Sequence, residues 1–293
     1  MRIRMQKEDP SPRSGSNPPP VLPREIPLRR PDLDFDASIP RHWAGGNAFA
    51  SHFFNSLNLL FPDGERFFVK SVHDHLDRIE DPELRRQAKQ FALQEGQHAH
   101  QHERFFDCLR SQGYRIDGFL RRFHRFAQLS NRYVPAALRL AVTAGAEHYT
   151  AVLGAGAIED FDRLERAHPT MRQLIVWHAT EEIEHKSVAF DVLRATHPGY
   201  LLRIAGFLVA TIVIAGWTAA GIRMLVRQEG MPRGEFAEHR RREMRENGAR
   251  AEARIRAGLR AYFRRDFHPD RFDGAESLAV ARRRLGEVLP VFA

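Results

Sequence analysis

The chain has 293 residues, 45 Lys and Arg against 37 Asp and Glu, and a formal net charge of +8; that length can bury one large core, or a domain with appendages. One cysteine, Cys108, excludes an internal disulfide framework and a cysteine-rich zinc site, and fits a reducing cytoplasm. The pI near 10.2 suits an anionic surface, and without a nucleic-acid fingerprint the membrane is the expected partner rather than nucleic acid.

Residues 1–42 read as a disordered or loosely draped arm: nine of the 17 prolines fall in the first 40 residues, with few large apolar side chains. Their basic start runs into proline-rich polar sequence with no apolar h-region, so it is not a secretory signal. Residues 43–198 form the main helical domain. His52–Phe61 is rich in Phe and Leu, and after it either Pro62 kinks one long helix or Asp63 caps a new one. Asp81–Pro82 is a helix start with an N-cap aspartate and proline at N1, and that helix runs to about Gln112, before Gly113. An amphipathic helix follows over 116–130, with Phe119, Phe123, Phe126 and Leu129 on one side. A third long helix after Pro135 is almost wholly small or apolar. A fourth runs from Pro169 to about Thr196.

Residues 199–228 hold a hydrophobic helix. The stretch 204–222 carries no charge and is bracketed by Arg203 and Arg223, and its 19 residues span roughly 28 Å, close to a bilayer core. A buried core helix is the alternative. Residues 229–293 are basic and helical, with one charged helix over 235–264. Four long helices and no alternating strand pattern predict an all-α fold.

The chemistry lies in two helical stretches. On a helix, Glu95, His98 and His102 share one face, as do His178, Glu182 and His185. Each stretch has a glutamate on the preceding helix, Glu65 thirty residues before Glu95 and Glu147 thirty-five before Glu182. Glu, Glu-x-x-His, twice over, is the pattern by which helical bundles hold two metal ions. A third match, Glu165 and His168, abuts Pro169 in a loop and is discarded. Glu147 among Ala, Gly, Leu and Val is costly to ionise without a partner. Its alternative is an ion pair with an arginine such as Arg139, and for Glu65 the alternative is an exposed first-turn glutamate. Glu181 and Glu184 point off the metal face and are either solvated or placed behind the ligands. His102 and His178 are each an extra ligand, a proton carrier behind the ligands, or an ordinary core histidine. The mixed donor set suits two iron ions, and is also compatible with manganese or zinc. Such ions either reduce dioxygen or activate water, as a metal-bound hydroxide, for hydrolysis.

Phe61–Phe68, Gln94–Glu95 with His98 and His102, Glu147, His178–Glu182–His185 and Phe267–His268–Pro269 together resemble the bacterial family of predicted metal-dependent hydrolases, from about Trp43 to the C-terminus. The resemblance implies a ferritin-like four-helix bundle, here with an additional hydrophobic helix and a charged C-terminal helix. More distantly the chain resembles p-aminobenzoate N-oxygenase-like di-iron proteins, whose extra histidine ligand matches His178. That likeness implies seven ligands: Glu65, Glu95, His98, Glu147, His178, Glu182 and His185. The chain departs from the oxygenase in its uncharged helix and basic tail, which argues against a soluble aromatic-amine substrate. The expected function is a dioxygen-using di-iron oxidoreductase acting on an apolar or membrane-derived small molecule. Its expected place is the cytoplasmic face of the inner membrane, or within it through 204–222. A metal-dependent hydrolase and a non-catalytic metal-binding membrane protein are the alternatives, and a homodimer is compatible with either.

Overall fold

Every regular element in this computed structural model, which describes residues 25–272 and 275–292, is helical. In chain order the helices are α1 (Ala48–Asn58), α2 (Phe61–His73), α3 (Pro82–Ser111), α4 (Asp117–Tyr133), α5 (Ala136–Glu159), α6 (Phe161–Glu165), α7 (Pro169–His185), α8 (Val188–Thr196), α9 (Tyr200–Glu229), α10 (Arg233–Glu243), α11 (Ala249–Tyr262), α12 (Pro269–Phe272) and α13 (Ala275–Val288). Among the described residues the one β-type pairing is the isolated bridge Ala44–Ala167. The all-α expectation therefore holds.

Four of these helices close a ring: α2 packs on α3, α3 on α7, α7 on α5, and α5 back on α2. Local chemistry sets their ends. Asp81 accepts hydrogen bonds from the backbone N–H groups of Glu83 and Leu84, which fixes the start of α3. Gly113 (φ +91°) ends it in the left-handed region that favours glycine. Apolar side chains pack outside the ring, around Trp43, Phe105 and Trp177 on one side and Phe91, Leu140 and Phe207 on the other. Each such side chain contributes about 1.5–3 kcal/mol on burial, and this packing is what allows the ring to hold a polar interior.

The structure corrects several boundaries. Pro62 does not kink one long helix, and Asp63 does not cap a new one. Instead α1 ends at Asn58 and α2 starts anew at Phe61, with Pro62 in its first turn, where the missing N–H costs nothing. The helix expected over Pro169–Thr196 breaks at Lys186–Ser187, directly after His185. The charged helix over 235–264 is interrupted by a π-helical turn at Met244–Gly248. The draped arm expected over 1–42 is corrected for residues 25–42. These run along the bundle with Ile26, Leu33 and Ile39 buried, apolar side chains spaced too widely among prolines to show a period. Residues 1–24 lie outside the described residues.

Helix α9, thirty residues long, packs along α5 and α1. It crosses α5 at small residues: a Cβ on Gly206 would fall 2.3 Å from the Ala141 carbonyl carbon, and one on Gly145 2.8 Å from Phe207 Cα. Among the described residues it is the one helix long and apolar enough to cross a membrane, and only 28% of its most apolar stretch is buried. Leu201, Leu208 and Ile212 stand on its uncovered side. A fully buried core helix is thus not what forms. Arg203 does not flank the apolar stretch in solvent. It is buried among Phe190, Tyr200, Tyr262 and Phe267, its guanidinium 5.1–5.7 Å from the four rings, and donates to the Arg264 carbonyl at 2.7 Å.

Candidate metal centre

One ligand candidate comes from α2 (Glu65), two from α3 (Glu95 and His98), one from α5 (Glu147) and three from α7 (His178, Glu182 and His185). All seven are buried in the ring interior. Two groups of three donors, each with its atoms within 4.8 Å of one another, are Glu65–Glu95–His98 and Glu95–Glu147–His185, and they share Glu95. Glu182 joins His98 and His178 in a third. His185 Nε2 lies 3.1 Å from Glu95, 3.3 Å from Glu147 and 3.6 Å from Glu182. His98 Nδ1 lies 3.6 Å from both Glu95 and Glu182.

The far side of each imidazole fixes its tautomer. His98 Nε2 faces Glu181 Oε2 at 3.0 Å, and a carboxylate only accepts, so Nε2 carries the hydrogen and the lone pair of Nδ1 points inward. His185 Nδ1 faces Gln94 Oε1 at 2.8 Å, and that amide is oriented because its Nε2 donates to the Pro27 carbonyl (2.9 Å) and to Glu184 (3.3 Å). The lone pair of His185 Nε2 therefore also points inward. For His178 the chain is longer. Asn58 Nδ2 donates to the Phe54 carbonyl, so Asn58 Oδ1 accepts from His102 Nδ1 at 2.6 Å. With both rings neutral, His102 Nε2 then accepts from His178 Nδ1 at 2.7 Å. His178 Nε2 is left as a lone pair facing Glu182 Oε1 at 2.9 Å and Glu65 Oε1 at 3.9 Å. That contact requires a shared proton or cation.

Nine buried side-chain atoms on the ligand candidates have no hydrogen-bond partner: both oxygens of Glu65, Glu95 and Glu147, Glu182 Oε2, His98 Nδ1 and His185 Nε2. They belong to the six residues of the doubled Glu, Glu-x-x-His pattern. Leaving such groups unsatisfied costs roughly 1–3 kcal/mol each, and more when they are charged. Four carboxylates and inward lone pairs fit divalent cations, two of which would balance the carboxylate charge. Without cations the groups polarise one another. Burial, then the Glu95 carboxylate, pushes Glu65 well up. Burial and the Glu182 and Glu95 carboxylates push Glu147 to about 8. Burial would lower His98 and His185, but the neighbouring carboxylates hold both well above the ordinary imidazole range. Burial would raise Glu95 and Glu182, and the imidazoles hold both down. Burial lowers His102 and His178, each reinforced by a neighbouring imidazole, in keeping with two neutral rings.

The alternatives for the two lone glutamates are not what forms. Arg139 pairs with Asp74 and donates to the backbone carbonyls of Asn131 and Val134, not to Glu147. Glu65 is 2% exposed rather than open to solvent. Glu181 and Glu184 point off the metal face as expected, but they are buried and do work there: Glu181 holds His98, while Glu184 is bonded by Arg29, Arg282 and Gln94. Arg29 also reaches Glu181 at 3.2 Å. Sequence reasoning missed Arg29, Gln94 and Asn58. Gln94 carries a weak signal in its place beside Glu95, and Arg29 carries none. His268 lies outside the centre, bonded to Asp191 at 2.9 Å.

An apolar cavity of about 450 Å³ opens beside the ring, with Glu65, His178 and Glu182 in its wall. Searches among curated proteins and among solved structures returned no match. A model of the family described as "predicted metal-dependent hydrolase" matches residues 27–273. That span includes every residue of the doubled pattern as well as Arg29 and the helices of the ring, and the chain belongs to this family of predicted metal-dependent hydrolases.

Proposed function

We propose that Glu65, Glu95, His98, Glu147, His178, Glu182 and His185 hold two divalent metal ions in a ferritin-like bundle, and that the protein is a metal-dependent hydrolase. The observation that carries the centre is the set of nine unpartnered lone-pair atoms on the six pattern residues. The family match supports the hydrolytic reading. Bound divalent ions would supply Lewis-acid polarisation and a water of lowered pKa. The chain's own part is to fix and to shield. Glu181 and Gln94 hold His98 and His185 in the tautomers that present lone pairs inward. Asn58 and His102 do the same for His178. Glu65 and Glu182 line both the centre and the cavity, so their oxygens are placed to take a proton from, or return one to, a group bound there. Hydrolysis would break the bond between an acyl or phosphoryl centre and its leaving oxygen, add water across it, and return the proton to that oxygen.

A second reading, a di-iron oxidoreductase using dioxygen, is favoured by two features: carboxylates outnumber imidazoles, and the adjoining cavity is largely apolar. In either reading α9 associates the protein with the cytoplasmic face of a membrane. This rests on its uncovered apolar side and the net charge of +8.

Metal analysis of aerobically purified protein, with an optical spectrum and repeated on Glu147→Ala, tests the centre. About two metal ions per chain in the wild type, lost in the variant, are expected. Turnover of ester or phosphoester substrates under anaerobic conditions supports the hydrolase. Two irons with oxo-bridge absorption and dioxygen-dependent oxidation of the ferrous protein, without such turnover, would replace it with the oxidoreductase. Metal content unchanged in Glu147→Ala would overturn the site itself.

A further inference from the structure

The cavity beside the centre is built for one class of ligand. Its volume of about 450 Å³ is in the range of small-molecule sites, and its polar groups are unevenly placed. Glu65, Glu182, His178, His102 and Asn58 line it together, joined as a group by the hydrogen bonds and close contacts of the metal centre. Elsewhere the wall is mostly Phe, Leu, Val, Ile and Ala from α1, α2, α4, α5, α7 and α9, with Asp63, Ser130, Tyr149 and Thr150 as its other polar side chains. Three of these are already engaged: Asp63 is bonded by His124 Nδ1 at 2.9 Å, the Tyr149 hydroxyl is paired with Thr211 at 2.7 Å, and Thr150 donates to the Glu147 carbonyl at 3.0 Å. A sugar, peptide or nucleotide would surrender its hydration along such a wall with too little in return, at several kcal/mol by water-to-hydrocarbon transfer. A hydrocarbon chain surrenders nothing.

Helix α9 supplies Val209, Ala210, Val213 and Ile214 to this wall. Val209 both lines the cavity and is 39% exposed, which places an opening at the outer side of α9. Leu208 and Ile212 beside it are 47% and 72% exposed. From Leu201 to Ala220 every exposed residue of α9 is apolar. The cavity therefore continues into an apolar surface, and the helix that carries that surface is the one long and apolar enough to cross a membrane.

We propose that the cavity seats the hydrocarbon chain of an amphiphile, an acyl or isoprenoid chain, with its reactive group against Glu65, His178 and Glu182. The assignment of the reactive end rests on the metal-centre reading. The assignment of the chain rests on the cavity alone.

Titration with cis-parinaric acid, a fluorescent long-chain fatty acid, followed by displacement with saturated fatty acids of increasing length, tests it. Saturable binding is expected, with displacement strengthening as the chain lengthens. Val213→Trp and Ala157→Phe, both only partly buried on the cavity wall, should each weaken binding about tenfold while metal content and thermal midpoint stay as in the wild type. Two variants on different helices guard against a folding defect in one. Butyrate displacing the probe as well as palmitate, or wild-type binding in both variants, would overturn the proposal. Glu147→Ala separates the two readings, since it should lose metal and keep the probe. If it keeps both, the metal-centre reading fails and the chain-binding cavity stands. Delivery of the probe in phosphatidylglycerol vesicles against delivery in buffer assigns the source. Faster saturation from vesicles supports a bilayer amphiphile, faster saturation from buffer supports a free one, and saturation by neither route overturns the proposal.

Discussion

At the junction of α1 and the end of α9, His42 Nε2 and His52 Nε2 lie 2.7 and 2.9 Å from the two oxygens of Glu229, and the Tyr114 hydroxyl donates to the same carboxylate. In residue types and spacing this cluster meets the same requirement for a metal site as Glu95–Glu147–His185 in the ring. The protons separate them. Around Glu229, three donors converge on one carboxylate and both of its oxygens are bonded. In the ring, four carboxylates meet imidazoles whose hydrogens are already given to Glu181, Gln94 and His102, and nine of their atoms stay unpartnered. At Glu229 the carboxylate is satisfied by protein donors, with His52 Nδ1 the one buried unpartnered atom of the cluster, and the cluster clamps the end of α9. The other is complete only with cations. Which way the imidazole hydrogens point decides between the two, and the count of His and Glu does not.

The largest break in this comparison comes from removing metal. Ring ligands that need cations should make the folded state depend on them. A metal present at about a thousand times its Kd adds about 4 kcal/mol of stability. Chelation is expected to lower unfolding stability by at least that order, read by urea denaturation with and without added metal, and Glu147→Ala should show little further loss. Glu229→Ala should keep its metal and its response to chelator. Next in size is Arg29→Ala. Arg29 is bonded to both Glu181 and Glu184, whose side chains are fully buried. Removing one partner of a buried ion pair costs about 3–5 kcal/mol, and loosening Glu181 behind His98 should weaken metal affinity roughly 10- to 100-fold. Competition with a chromophoric chelator measures that affinity. Unchanged affinity in Arg29→Ala would mean that Glu181 does not orient His98.

What was legible in the sequence is what helical geometry enforces. Residues three, four and seven apart share a face whatever surrounds them, so His178, Glu182 and His185 could be placed together from spacing alone. The two lone glutamates, Glu65 and Glu147, followed from the doubling of that pattern. Long-range partners were not legible. Arg29 sits some 150 positions before Glu184 in a proline-rich stretch without period, and no local rule links an extended segment to a distant helix face. The break at Lys186–Ser187 was equally hidden, since Val188–Thr196 continues in good helix-forming sequence. The uncharged stretch of α9 was read correctly as apolar. That its inner side would close a cavity depends on α4 and α5, which composition does not place.

The smallest expected effect concerns the Glu229 cluster, and its pH dependence sharpens the contrast. Burial would raise the Glu229 carboxyl, but the Tyr114 hydroxyl, His52 and His42 hold it below its ordinary value of 4.5. A depressed carboxyl contributes stability that is fully present above that value and is lost as pH falls through the folded one. His52 is lowered as well, chiefly by burial, so its unfolded form binds a proton more readily and acid weakens the cluster from that side too. Glu229→Gln should therefore cost about 1.5–3 kcal/mol near neutral pH, the range for hydrogen bonds to a charged group. Its deficit against the wild type should close as pH falls below about 4.5. Urea denaturation of both proteins from pH 7 to about pH 3 measures the gap. A deficit constant across that range would mean that packing, and not the charge on Glu229, ties α9 to α1. Metal content should match the wild type throughout, because both oxygens of Glu229 are already bonded by protein donors.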